Sequence, residues 1–136
     1  MAREFHLSVV APDRSVVEEN VLAMVAPGTE GYFGVQMGHA PMVAALKPGM
    51  VEYLDLTSNR HYIYVGGGFA EVREDRVTVL ADEAARASEI DISEAEHRLD
   101  EARKALRGEE SGVTQENAVL EIERAMSRIR AARASR

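Results

Sequence analysis

The sequence predicts α+β by segments: an antiparallel β-sandwich or flattened barrel over residues 1–86, then an antiparallel two-helix hairpin over 87–136. Three observations predict it. Up to about Leu80, short β-prone runs are separated by turn residues, with proline and glycine between the runs rather than inside them. After Ala81 the apolar spacing lengthens from two to three and four. Gly108-Glu109-Glu110-Ser111-Gly112 then divides the second segment into two apolar stripes.

Taken in order, the first strand rests on Phe5, Leu7 and Val9 alternating with His6 and Ser8, which buries one face and wets the other before Ala11-Pro12-Asp13 turns the chain. Further runs cover 21–26, 32–36, 42–46, 50–56, 62–65, 69–72 and 77–80. Ser58-Asn59 and Glu74-Asp75 sit between runs of matching length and predict hairpin tips, so the sheet is mostly antiparallel. Ile92, Ala95, Leu99, Ala102 and Leu106 form the apolar stripe of a first helix, with Asp91 and Glu94 as a capping box. Glu94 with Arg98 and Asp100 with Lys104 are acid-before-base pairs at i, i+4. Thr114 is the N-cap expected for a second helix, whose stripe is Val119, Ile122, Met126 and Ile129. The seam between the helices is made of Ala95, Ala102, Ala118, Ala125 and Ala132, each burying far less area than the leucine or isoleucine that contributes roughly 1.5–3 kcal/mol. A hairpin so held is marginal alone, and the pattern leaves two readings open: it docks in more than one place, or it packs permanently on the sandwich.

Composition narrows the function. A chain of 136 residues with 46% hydrophobic and 29% charged residues is that of one soluble domain, and no apolar run nears the roughly 18 residues of a membrane span. The start, Met1-Ala2-Arg3-Glu4-Phe5-His6, lacks the apolar core of a secretion signal, and there is no cysteine, so a cytosolic location is expected. A net charge of −7 argues against nucleic acid as a partner. His6, His39, His61 and His97 lack metal-ligand spacing, and no metal is expected. Gly66-Gly67-Gly68 is not followed by Gly-Lys-Ser/Thr, so it reads as a bulge or close backbone approach rather than a phosphate loop. Asp82-Glu83 reads as a solvated turn, and with no nucleophile elbow there is no catalytic constellation.

Two features point to contacts instead. The stretch 27–41 carries four glycines, two prolines and the aromatics Tyr32 and Phe33, which suits a protein contact displayed on turns. On the second helix Arg124 and Arg128 share a face at i, i+4, followed by Arg130, Arg133 and Arg136. From Val113 onward five arginines stand against three glutamates, a basic edge suited to the helix dipole or to an acidic partner. The residues therefore describe a non-catalytic subunit that contacts a larger assembly.

Pro27-Gly28-x-x-Gly31-x-x-Gly34-Val35, Gly38-His39-Ala40-Pro41, Lys47-Pro48-Gly49, Gly67-Gly68-Phe69-Ala70-Glu71-Val72 and Val77-Thr78-Val79-Leu80-Ala81-Asp82 closely resemble, in order and spacing, the epsilon subunit of bacterial F-type ATP synthases. The resemblance covers essentially the whole chain. It implies a rotor subunit whose β-sandwich binds the gamma subunit and the c ring. Its C-terminal hairpin would lie folded on the sandwich or extend along gamma into the alpha and beta subunits, restraining ATP hydrolysis. It also implies peripheral attachment, through the complex, to the cytoplasmic side of the bacterial inner membrane; the start of the chain has no Arg- and Ser-rich leader of an organelle protein. Glu30, Tyr32, Phe33, His39 and Pro41 are the contact residues expected on the sandwich, and Arg124, Arg128 and Arg130 those on the hairpin. Tyr32 stands where relatives can carry an acid, and Met37 where a proline often precedes Gly-His.

Some relatives bind ATP at the hairpin through an Ile-Asp-x-x-Arg-Ala motif with arginines of the second helix. Ile90, Asp91, Ala95, Arg124 and Arg128 match that pattern, but Glu94 replaces its arginine and Ala85 stands where nucleotide-binding relatives can have a glutamate. A carboxylate in place of a phosphate-pairing guanidinium reverses the local charge, so ATP binding is expected to be weak or absent and no cofactor is expected. Two readings compete with a rotor part. A free-standing nucleotide sensor is opposed by Glu94, and an enzyme needs a convergent set of titratable groups that the chain does not supply.

Overall fold

The computed structural model describes residues 3–109 and 112–135; the expectations that fell on Met1-Ala2, Glu110-Ser111 and Arg136 lie outside the described residues. Seven strands run as β1 (Phe5–Ala11), β2 (Arg14–Gly28), β3 (Gly31–Val35), β4 (Met42–Asp55), β5 (Arg60–Val72), β6 (Arg76–Ala81) and β7 (Ala84–Arg86). A 3-10 turn at Ala87–Glu89 leads to α1 (Ile92–Leu106) and α2 (Gln115–Ala134). The order β1-β6-β5-β4-β2 closes on itself because β1 also pairs with β2, and the result is a flattened barrel with β3 on the edge of β2 and β7 on β5. Every pairing is antiparallel except β1 with β6. Ser58, at φ 64°, and the Glu74-Asp75 pair occupy the hairpin tips expected of them.

Proline and glycine do enter the strands, which corrects the first expectation. The runs at 42–46 and 50–56 belong to one strand, β4, and those at 62–65 and 69–72 to another, β5. On β4 the core takes Leu46 and then Val51 and Tyr53; on β5 it takes Ile63 and Val65 and then Ala70 and Val72. Each strand exchanges its inward parity, and both do so at one level, where Pro48 pairs with Gly66 and Leu46 with Gly68. Gly68 sits at φ 133°, and a Cβ there would overlap the backbone of Leu80 and Ala81. The glycines therefore form the corner at which two paired strands turn from one layer of the barrel to the other. β2 is longer than its expected run because Arg14–Asn20 pair with β1, across an irregularity between Val9 and Val10. The three-residue β7 carries no apolar signal of its own.

The helices begin where their caps predict. Asp91 accepts the Glu94 N–H at 3.2 Å, and Thr114 Oγ1 accepts that of Asn117 at 3.1 Å. Arg98 pairs with Glu94 at 2.8 Å and Lys104 with Asp100 at 3.3 Å. Helix α2 packs on β4, β5 and the 3-10 turn, and α1 packs on α2. Of the expected α2 stripe only Ile129 is buried, while Val119 and Met126 are 43% and 39% exposed. The buried residues are instead Ala118, Ala125, Ala131 and Ala132 with Ser127 and Arg128, because α2 is wedged between α1 and the sheet where small side chains allow close approach.

Candidate functional site

The helical hairpin sits on the outer face of β4 and β5. Core residues Ile63 and Val65 point inward, so the intervening Tyr64 and the neighbouring Tyr62 point outward, where Ala87, Ile90, Ala131 and Ala132 cover Tyr64. At this seat Glu83, between β6 and β7, binds the hairpin. Its carboxylate accepts hydrogen bonds from the Tyr64 hydroxyl and from Arg128 Nη2. Arg128 is 8% exposed, and its guanidinium lies 4.8 Å from the centre of the Tyr64 ring. Arg124 Nε donates to the Gly66 carbonyl at 3.1 Å and lies 3.9 Å from Glu83, while its Nη1 donates to Glu121 at 2.9 Å. Burial, with the Glu83 hydrogen bond adding to it, pushes the Tyr64 phenol far above its ordinary range, so Tyr64 is a donor at any physiological pH. Gly66 makes room for the cluster, since a Cβ there would overlap both the Glu83 side chain and the Tyr64 hydroxyl.

These positions correct two expectations. Glu83 is not the acid of a solvated turn, and Arg124 and Arg128 do not form an open basic edge in this conformation; they face the chain's own β domain. Arg130 remains exposed, donating to Ser127 Oγ at 3.4 Å, and Arg133 reaches Glu96 of α1 at 3.6 Å. Arginines at i, i+4 were legible as one face. Their partners Glu83 and Tyr64 were not, although two adjacent acids at a strand end were a signal that a basic face could be met within the chain.

Beside Arg128 lies a cavity of about 160 Å³ lined by Ile90, Asp91, Ala95, Ala85, Glu94, Arg98 and Glu89. The fold thus gathers four of the five ATP candidates and leaves Arg124 out. The site fits a nucleotide poorly. Its volume falls below the roughly 300–1,000 Å³ of small-molecule pockets. Three carboxylates line it, Asp91 is spent on the helix cap, and Arg98 is paired with Glu94.

The sandwich candidates lie elsewhere. Glu30, Tyr32 and Phe33 line one open depression of about 510 Å³, and His39 lines another of about 540 Å³ whose wall continues along β3 through Gly34 and Val35. Pro41 is exposed and lines neither. Tyr32 is 54% exposed, its hydroxyl accepts the Met50 N–H at 3.4 Å, and Lys47 Nζ stands 5.8 Å from its ring centre. Phe33 is half-buried against the barrel core, so only one of the two aromatics is displayed. A contact surface missed in the sequence crosses the outer face of the sheet, where Ala45, Phe69 and Leu80 are in register on β4, β5 and β6. With Val43 it forms an uncovered apolar row, Val43 being 71%, Phe69 58% and Leu80 56% exposed. The runs at 42–46, 69–72 and 77–80 were legible as strands, but which strands lie side by side, and so which exposed residues join into one row, is set only by the pairing of β4, β5 and β6.

The family described as ATP synthase, Delta/Epsilon chain, beta-sandwich domain matches residues 4–87. The ATP synthase epsilon chain of Nitratidesulfovibrio vulgaris (strain DP4) is 40% identical over 130 residues, 96% of either chain. That of Desulfosudis oleivorans is 41% identical over 106 residues, 78% of this chain and 80% of its own. Among solved structures, a chain of Euglena gracilis mitochondrial ATP synthase, resolved as OSCP/F1/c-ring in rotational state 1, is similar with a TM-score of 0.79 and 26% identity, covering 91% of this chain and 78% of that one. A chain of the Tetrahymena thermophila mitochondrial ATP synthase central stalk/c-ring shares the fold, with a TM-score of 0.56 and 14% identity over 98% and 96% of the two chains.

Proposed function

Because the chain belongs to the delta/epsilon chain family of ATP synthase, we propose that it is a non-catalytic central-stalk subunit that couples the gamma subunit to the c ring and restrains ATP hydrolysis through its hairpin. The observation that carries the coupling role is the uncovered apolar row of Val43, Ala45, Phe69 and Leu80, on a sheet whose other outer face is already occupied by α2. A monomer gains nothing by leaving such a row in water, whereas a stalk part gains a docking face for gamma. The depressions holding Glu30, Tyr32 and His39 supply the second contact, toward the c ring.

The alanine seam supports the regulatory role. A hairpin held by small side chains and a few charged contacts differs by only a few kcal/mol between seated and extended positions, which is the range in which partners shift populations. No described helix is long and apolar enough to cross a membrane, so attachment to the cytoplasmic face of a bacterial inner membrane would come through the complex, and the bacterial relatives support that side.

The test is ATP hydrolysis by the matching catalytic complex, reconstituted with the full chain or with a version ending at Ser88. Truncation is expected to raise hydrolysis while the β domain still binds gamma. Unchanged hydrolysis would remove the restraint and leave the coupling role alone.

A further inference from the structure

Resting on the reading of the hairpin as a moving element, we propose that Glu83 is a built-in latch, the chain's own carboxylate, which holds the hairpin arginines and seats the hairpin without any bound ligand. Glu83 is well placed for this. Its main-chain carbonyl accepts the Gly66 N–H at 2.8 Å, and the Gly66 carbonyl in turn accepts from Arg124. Its side chain is oriented by the Tyr64 hydroxyl, which leaves one oxygen shared between the phenol and Arg128. The latch is thus anchored to the barrel at both backbone and side chain.

The two arginines depend on it unequally. Arg124 retains Glu121 on its own helix and the Gly66 carbonyl. Among the described residues Arg128 has no other carboxylate within ion-pairing distance, and its Nη1 is buried with no hydrogen-bond partner. Arg128 is therefore a buried cation neutralised by one acid, and an ion of that kind is strongly destabilised once its partner is lost. Lifting α2 off the sheet, so that water or another carboxylate reaches the guanidinium, relieves it. Any acidic surface that engages Arg128 has to displace Glu83, so the seated hairpin and an acid-bound hairpin exclude each other. The neighbouring cavity is small, and its Glu89, Asp91 and Glu94 carboxylates, none of them within ion-pairing distance of Arg128 among the described residues, disfavour a free anion there.

The experiment is hydrogen exchange on the full chain, read separately for α1 and α2 and for β1 and β6. Glu83→Gln keeps the shape and removes the charge. It is expected to speed exchange of the hairpin amides about tenfold, as for a partly buried ion left unpaired, while β1 and β6 stay protected. Glu83→Gln combined with Arg128→Met removes the orphaned cation and is expected to restore exchange to near the wild-type rate. Mg-ATP is expected to leave wild-type exchange unchanged. The latch is overturned if E83Q exchanges like wild type, if the double variant is as open as E83Q, or if ATP slows hairpin exchange. Should E83Q fail to fold, Tyr64→Phe, which removes the orienting hydroxyl and keeps the ring, must open the hairpin in the same direction or the latch falls. If E83Q opens the hairpin while hydrolysis by the reconstituted complex is unaltered, the latch stands and the restraint of hydrolysis is what fails.

Discussion

Tyr53 shows how one buried hydroxyl ties the core to the chain's charge. The side chain is 1% exposed, stacks on the His61 ring with centroids 4.8 Å apart, and takes a hydrogen bond from Arg86 at 3.3 Å. Burial, reinforced by the nearby Glu19 carboxylate and opposed by Arg86, pushes its phenol from 10.0 up to about 12. The sign of the linkage follows: above pH 10 the unfolded phenol ionises while the folded one stays protonated, so stability falls as pH rises toward about 12. Urea unfolding is expected to show a steeper loss of stability across that window for the wild type than for Tyr53→Phe. Equal slopes would mean that Tyr53 ionises in the folded protein as it does in water.

At the scale of elements, the hairpin and the barrel are distinct in how they are held, and the difference is measurable. Ala125 is fully buried in α2, so Ala125→Val inserts two methyl groups into a seam that closes around alanine. Overpacking of that kind costs about 1–3 kcal/mol. It is expected to accelerate exchange in α1 and α2 and leave β1 and β6 as they were; a uniform loss of protection would show that barrel and hairpin unfold as one unit. The same elements show what was legible in the sequence. Helix α1 was, because its cap and i, i+4 pairs agree and its stripe holds as far as Ala102, beyond which Ala105 is buried in place of Leu106, and so were β1 and β6, where Phe5, Leu7 and Val9 and then Val77 and Val79 alternate into the core. Strands β4 and β5 read as four pieces because a paired corner inverts parity in mid-strand, an event that exists only once the strands have met. In α2 the period was legible but its direction was not: Val119 and Met126 are the more apolar residues, yet the helix turns its alanines and Arg128 inward. At the candidate site the arginines were legible and their seat was not, since Tyr64, Glu83 and Arg128 lie in three elements brought together only by the closed barrel.

At the scale of the whole molecule, one outer face of the barrel is covered by its own hairpin and another is bare. Phe69→Asp together with Leu80→Lys changes only exposed side chains and sets opposite charges across one strand pair, so the unfolding free energy is expected to stay within about 1 kcal/mol of wild type, as for surface substitutions. Binding to gamma, read by co-purification or calorimetry, is expected to be lost. Retained binding would place the docking face elsewhere. The parallel pairing of β1 with β6 carries a further consequence for how the chain is made. Once β1 has left the ribosome it can form a hairpin with β2, but its other neighbour arrives only with residues 76–80, some seventy residues later. At about 5–20 residues per second that is a delay of roughly 4–14 seconds, during which one edge of β1 is open to any strand that meets it. The helices follow β6 in synthesis, so every strand of the seat precedes α2 along the chain, and the barrel can close before the newborn hairpin reaches it.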